Sequence, residues 1–131
     1  MKILLDTHVW IWSHLDSDRI GQRLTQHILD PANELWLSPI SLWEFLVLVG
    51  KKRLAIREKS ADWIAAALAE APMHEAPLTH EVALTSRTIR VVHEDTADRF
   101  LAATAAVYDL VLATADERLL AGQGFRTLAN R

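Results

Sequence analysis

Apolar residues gather in short runs along this chain, and stretches with helical spacing separate the runs. Ile3 to Leu5 is three aliphatic residues in a row, and Leu35 to Leu37 and Leu110 to Ala113 repeat the pattern. Runs this short and this uniformly apolar predict strands buried on both faces, as in a parallel sheet. Met73 to Leu78, with Pro77 near its end, predicts a weaker strand, and Phe125 to Leu128 a last one. Helices fill the intervals. Thr7 to His14 begins one directly after the first strand. Asp16-Ser17-Asp18 offers cap chemistry for a second that runs through Leu29, and Asp30-Pro31-Ala32-Asn33 makes the turn after it. Ser38 and Pro39 read as a cap and a first helical position for a helix over Ile40 to Val49 that ends near Gly50. An alanine-rich helix opens at Ser60 or Asp62 and reaches Ala71. Thr79-His80-Glu81 begins another to Ile89. Asp95 or Thr96 caps one through Tyr108, and Asp116 to Leu120 is a short one.

Strands that alternate with helices imply an α/β fold: a three-layer sandwich with a short, mainly parallel central sheet flanked by helices. The chain has 131 residues, so residues 1–131 are read as one domain. In such sheets, ligands sit at the carboxyl ends of the strands. Asp6 follows the first strand and Asp116 follows the strand over Leu110 to Ala113. The two acids are therefore expected on one edge of the sheet.

Composition narrows the chemistry. Without cysteine there are no disulfides, no thiol catalysis and no cysteine-ligated zinc, and a reducing cytoplasm suits the chain. No apolar run approaches the roughly 18 residues of a membrane span. Asp6 interrupts the N-terminal apolar stretch too early for an export signal, so that stretch reads as a strand. The net charge of −3 argues against a protein that grips nucleic acid by bulk positive charge. A bound cation would reverse the local field at an acidic site, so a nuclease stays open.

Four acids stand out by context. Asp6 and Asp116 occupy matching places after strands. Glu44 lies inside the apolar helical stretch Ile40-Ser41-Leu42-Trp43-Glu44-Phe45-Leu46-Val47, where an unpaired charge is costly to bury. Asp98 sits one turn into a helix, where the dipole favours a carboxylate. Taken singly, each reads as a helix cap or a surface acid. Taken together they can converge. Two like charges at about 4 Å repel by about 4 kcal/mol at an effective dielectric of 20. Either some of them take up protons or a divalent cation holds them. Magnesium and manganese suit oxygen ligands, and a bound cation can activate water against a phosphodiester.

Leu4-Leu5-Asp6-Thr7-His8, Ser38-Pro39-Ile40-Ser41-Leu42-Trp43-Glu44, Asp95-Thr96-Ala97-Asp98-Arg99-Phe100 and Leu112-Ala113-Thr114-Ala115-Asp116 together resemble PIN-domain proteins. Within that family they resemble the VapC-type toxins of toxin–antitoxin pairs, in order and spacing along nearly the whole chain. The resemblance implies a PIN-like fold and an endoribonuclease with Mg²⁺ or Mn²⁺ held by Asp6, Glu44, Asp98 and Asp116. It also implies a homodimer and a small antitoxin partner. Thr7, Ser41 and Thr114 fall where the family has small hydroxyl residues that orient the acids. The chain departs from the pattern at Thr96, where many relatives have proline, at Ala115, where they often have a basic or polar residue, and at His8.

Arg99 is expected to contact RNA or an antitoxin carboxylate. Asp95 is expected to cap its helix, and His8 to stand on the substrate side. Most of the five tryptophans are expected in the core or in a dimer contact, and Lys51-Lys52-Arg53 with Arg57 on a solvated face or along RNA. Two other readings remain: a binding module whose site has decayed, or a phosphatase or receiver on a similar sheet. A covalent phosphatase would want a second aspartate two residues after Asp6, where His8 stands.

Overall fold

Ile3, Leu4 and Leu5 are all fully buried, and they alternate between two cores. That is the period-2 geometry of a strand with both faces covered. The computed structural model describes residues 1–131. Its elements run in the order β1 (Lys2–Leu5), α1 (Thr7–Leu15), α2 (Gln22–Leu29), β2 (Glu34–Leu37), α3 (Pro39–Gly50), α4 (Ser60–Glu70), β3 (His74–Glu75), α5 (His80–Thr88), α6 (Thr96–Tyr108), β4 (Val111–Thr114), α7 (Glu117–Leu120) and β5 (Arg126–Ala129).

All five strands are parallel, in the order β3-β2-β1-β4-β5. The chain builds outward from β1 to β3, then crosses back to lay β4 on the other side of β1. Strand order therefore reverses between β1 and β4, and a crevice is expected at their carboxyl ends. Ile3 and Leu5 face a core with Val9 and Trp10 of α1, Leu24 of α2, Phe45 of α3 and Trp63 of α4. Leu4 and Leu112 face the other, with Leu101, Ala102 and Ala105 of α6 and Leu119 of α7. The α/β three-layer architecture is as the sequence predicts. Trp63 stacks on Phe45 at 4.5 Å between ring centroids, and Trp10 meets both rings edge-on. Trp10 and Trp63 are core residues, whereas Trp43 is half exposed on α3. No helix is long and apolar enough to cross a membrane.

The structure corrects two expectations. The helix read over Asp16 to Leu29 is broken. Ser17–Arg19 forms one 3₁₀ turn, Asp16 makes no side-chain cap bond, and α2 starts only at Gln22. Distant residues set that start: Asn130 Oδ1 accepts from Gly21 N and Arg131 O accepts from Leu24 N. A Cβ on Gly21 would lie 1.9 Å from the Arg131 carbonyl carbon, so glycine is what permits this approach. The strand read over Met73 to Leu78 shrinks to His74–Glu75, because it is the sheet edge and pairs only with β2.

Candidate active site

Asp6 joins β1 to α1. Its backbone has cap geometry, but its side chain caps nothing. The carboxylate turns instead to β4, where Thr114 Oγ1 donates to Asp6 Oδ2 at 2.6 Å. The same hydroxyl accepts from Asp116 N at 3.0 Å. One buried threonine thus ties the acid after β1 to the turn that carries the acid after β4. Thr7 Oγ1 donates to Ser41 Oγ at 2.9 Å and pins α1 to α3. Ser41 and Glu44 are three apart on α3 and share a face, which aims Glu44 at the same region. Glu44 Oε1 is buried with no hydrogen-bond partner.

Asp95 caps α6, its Oδ1 accepting from Asp98 N at 3.0 Å. That fixes the first turn of α6 and with it Asp98. Asp98 Oδ2 lies 2.7 Å from His93 Nε2, and the two side chains are 13% and 11% exposed. Asp116 caps α7 through the Arg118 amide at 2.9 Å, and the Arg118 guanidinium folds back on the same carboxylate at 3.2 and 3.3 Å. Asp6, Glu44, Asp98 and Asp116 all line one open cavity of about 330 Å³, with His8, Trp12, Asp95 and Arg118 around them. Ligand-capable atoms of His93, Asp98 and Asp116 lie within 4.8 Å of one another.

Electrostatics divide the four acids. Burial, and then the negative field of Asp98 and Glu44, push the Asp6 carboxyl up to about 6 against the hydrogen bond from Thr114. Burial also raises Glu44, with Asp98 adding to it. Burial raises Asp98 against the hydrogen bond from His93, and the charges of Asp95 and Asp116 add to the rise. At Asp116 burial works upward too, but the Arg118 hydrogen bonds and charge outweigh it and hold the group low. Three acids that resist ionisation around one cavity, one with an orphaned oxygen, form a donor set that a hard divalent cation would satisfy.

Asp6 makes this measurable. Its carboxyl ionises near 3.8 in the unfolded chain and near 6 in the fold. Across that window the folded state holds a proton that the unfolded state has lost, so stability falls as pH rises, by about 3 kcal/mol in all at about 1.4 kcal/mol per unit. Thermal melts in EDTA from acid to neutral pH should show this decline, and Mn²⁺ should reverse it above pH 6. A melting temperature that stays level over the range, with or without Mn²⁺, would contradict it.

The family model for the PIN domain matches residues 3–123. The chain belongs to the PIN-domain family. Domains of this family are generally nucleases that use divalent metal ions. Solved structures with the same PIN fold include VapBC2 from Rickettsia felis bound to a promoter DNA fragment, 12% identical over 98% of each chain with a TM-score of 0.73. VapBC from Salmonella typhimurium, also DNA-bound, is 16% identical over 98% of each chain with a TM-score of 0.70. FitAcB from Neisseria gonorrhoeae is 22% identical over 96% of each chain with a TM-score of 0.65. A search of curated proteins gives no match.

Within this PIN domain the four acids expected from sequence come to one cavity, and Thr7, Ser41 and Thr114 are buried beside them. Arg99 does not join them. It is 6% exposed, and its guanidinium is spent on four main-chain carbonyls, those of Ser86, Ile89, Val91 and His93. The substrate contact expected of Arg99 is therefore corrected: its donors face the α5–α6 connection, and the arginine at the cavity is Arg118. His93, which the sequence analysis does not single out, lies beside Asp98. The usable signal was its distance of five residues from Asp98 across a helix cap.

Proposed function

We propose that this chain is a metal-dependent endoribonuclease of the VapC type, the cytoplasmic toxin of a toxin–antitoxin pair, with residues 1–131 as one nuclease domain. The observation that carries this reading is the convergence of Asp6, Glu44, Asp98 and Asp116 on one cavity, three of them raised by burial. Asp6 and Asp98 would be the primary ligands of Mg²⁺ or Mn²⁺, and Glu44 and Asp116 would complete the shell or hold water. A bound cation of this kind supplies water activation and stabilises charge on a phosphate during in-line displacement.

The chain's own groups do the rest. Thr114 holds Asp6 Oδ2, which keeps the carboxylate aimed while it changes charge state. Glu44, with Oε1 unpartnered and its carboxyl raised by burial, is suited to take a proton from the attacking water. Arg118, exposed at the rim, can leave Asp116 for a phosphate oxygen when the acid engages a cation. VapBC and FitAcB among the structural neighbours support a small antitoxin as partner. Trp43 and Leu46, 51% and 46% exposed on α3, offer an apolar face for that partner or for a second copy in a homodimer.

Incubation of the purified protein with structured and unstructured RNAs tests this. Cleavage should require Mg²⁺ or Mn²⁺, stop with EDTA and spare DNA of the same sequence. Cutting that persists in EDTA, or no cutting of any RNA with either cation, would sink the reading.

A further inference from the structure

We infer that His93 is a positioning residue for the cation site, fixing which oxygen of Asp98 faces the cavity. The inference rests on the metal reading above and adds to it a residue outside the four acids. A free carboxylate has two equivalent oxygens and rotates between them. At Asp98 the equivalence is broken: Oδ2 lies 2.7 Å from His93 Nε2, inside a pair of side chains almost wholly shielded from water. A carboxylate only accepts, so the ring proton sits on Nε2 and Nε2 donates. Oδ1 is left for the cavity. The main chain of the same residue is anchored by the Asp95 cap, so Asp98 is held at both ends.

The histidine is itself held. It lies in the connection between α5 and α6, and buried Arg99 grips that connection from the next helical position after Asp98. The Arg99 Nη1 atom donates to the carbonyls of Val91 at 3.2 Å and His93 at 3.3 Å, and Nη2 to that of Ile89 at 2.9 Å. The guanidinium presents the imidazole to the acid beside it. Direct ligation by His93 is the rival arrangement, because its ring lies within 4.8 Å of both Asp98 and Asp116. A ligating imidazole ordinarily donates its other ring N–H to an acceptor. His93 Nδ1 is buried and has none. The geometry therefore favours support of the ligand over service as one.

Mn²⁺ titration calorimetry and electron paramagnetic resonance on the full chain test the role, using His93→Ala, His93→Leu and His93→Gln, with folding followed by melts in EDTA. Loss of the N–H in His93→Ala should weaken Mn²⁺ binding roughly 10–100-fold. His93→Gln, which keeps an N–H at similar reach, should recover most of it. Mn²⁺ on the wild-type protein should show no imidazole nitrogen coupling that His93→Leu removes. If His93→Ala does not fold, His93→Leu takes its place in the comparison with His93→Gln. Unchanged affinity without the N–H overturns the inference while leaving the metal reading standing. So does a glutamine variant as weak as the one without a donor. Nitrogen coupling that His93→Leu abolishes overturns it in favour of ligation. A wild-type protein that binds no Mn²⁺ overturns both.

Discussion

Asp6→Asn should abolish the proposed RNA cleavage and, in the same protein, should raise the stability of the cation-free fold above pH 6. The two effects have one cause. Asparagine keeps the shape of aspartate and can still accept from Thr114 Oγ1 through its carbonyl oxygen, so the link between β1 and β4 survives. It cannot ionise. The wild-type carboxyl, pushed up to about 6 by burial and by its acidic neighbours, carries a desolvated charge at neutral pH that the Thr114 hydrogen bond offsets only in part and a bound cation would relieve further. Removing the charge removes that cost, worth about 3 kcal/mol at most by proton linkage. It also removes a ligand that carries full negative charge. Urea denaturation in EDTA at neutral pH should therefore place the variant above wild type. Mn²⁺, which stabilises wild type by preferential binding to the folded state, should barely move the variant. Cleavage retained in a purified variant would remove Asp6 from the mechanism. A loss of stability in EDTA would mean that the carboxylate is held by partners other than a cation.

Arg99→Met should be the most destabilising single change near the site, costing about 3–5 kcal/mol. Methionine fills much of the volume, so the loss is one of donors. Four carbonyls, those of Ser86, Ile89, Val91 and His93, lose their partner, the first of them in a buried hydrogen bond and the other three in partly buried ones. Domains of this kind have only about 5–15 kcal/mol in total, so the variant should stand close to unfolding. Arg99→Lys should recover little, because a single ammonium on a flexible stem cannot span acceptors that a planar fork reaches together. Urea midpoints of both variants check this. A loss below about 1 kcal/mol for Arg99→Met would show that water or another donor satisfies those carbonyls.

The order of strands and helices along the chain was legible because each element announces itself locally. Ile3-Leu4-Leu5 is buried whichever way it turns, and Ser38-Pro39 and Asp95 cap helices within three residues of themselves. Asp6 and Asp116 could be placed on one sheet edge because strand ends in parallel sheets share a direction. Glu44 was conspicuous as a charge in apolar company. The break before α2 was not legible, because its cause lies more than a hundred residues away in Asn130 and Arg131.

The sequence by itself determined the α/β class, through spacing and periodicity, and it placed Asp6, Glu44, Asp98 and Asp116 in motifs that resemble those of PIN-domain proteins. Tertiary structure alone decided what the cationic and imidazole groups do. Arg99 and Arg118 look equally available beside Asp98 and Asp116 in the chain, yet one is buried among carbonyls and the other stands at the cavity. His93 meets Asp98 only because the α5–α6 connection folds under Arg99. The physical reason is that a long side chain takes its direction from whichever distant acceptors desolvation leaves unpaired, and local spacing carries no record of them.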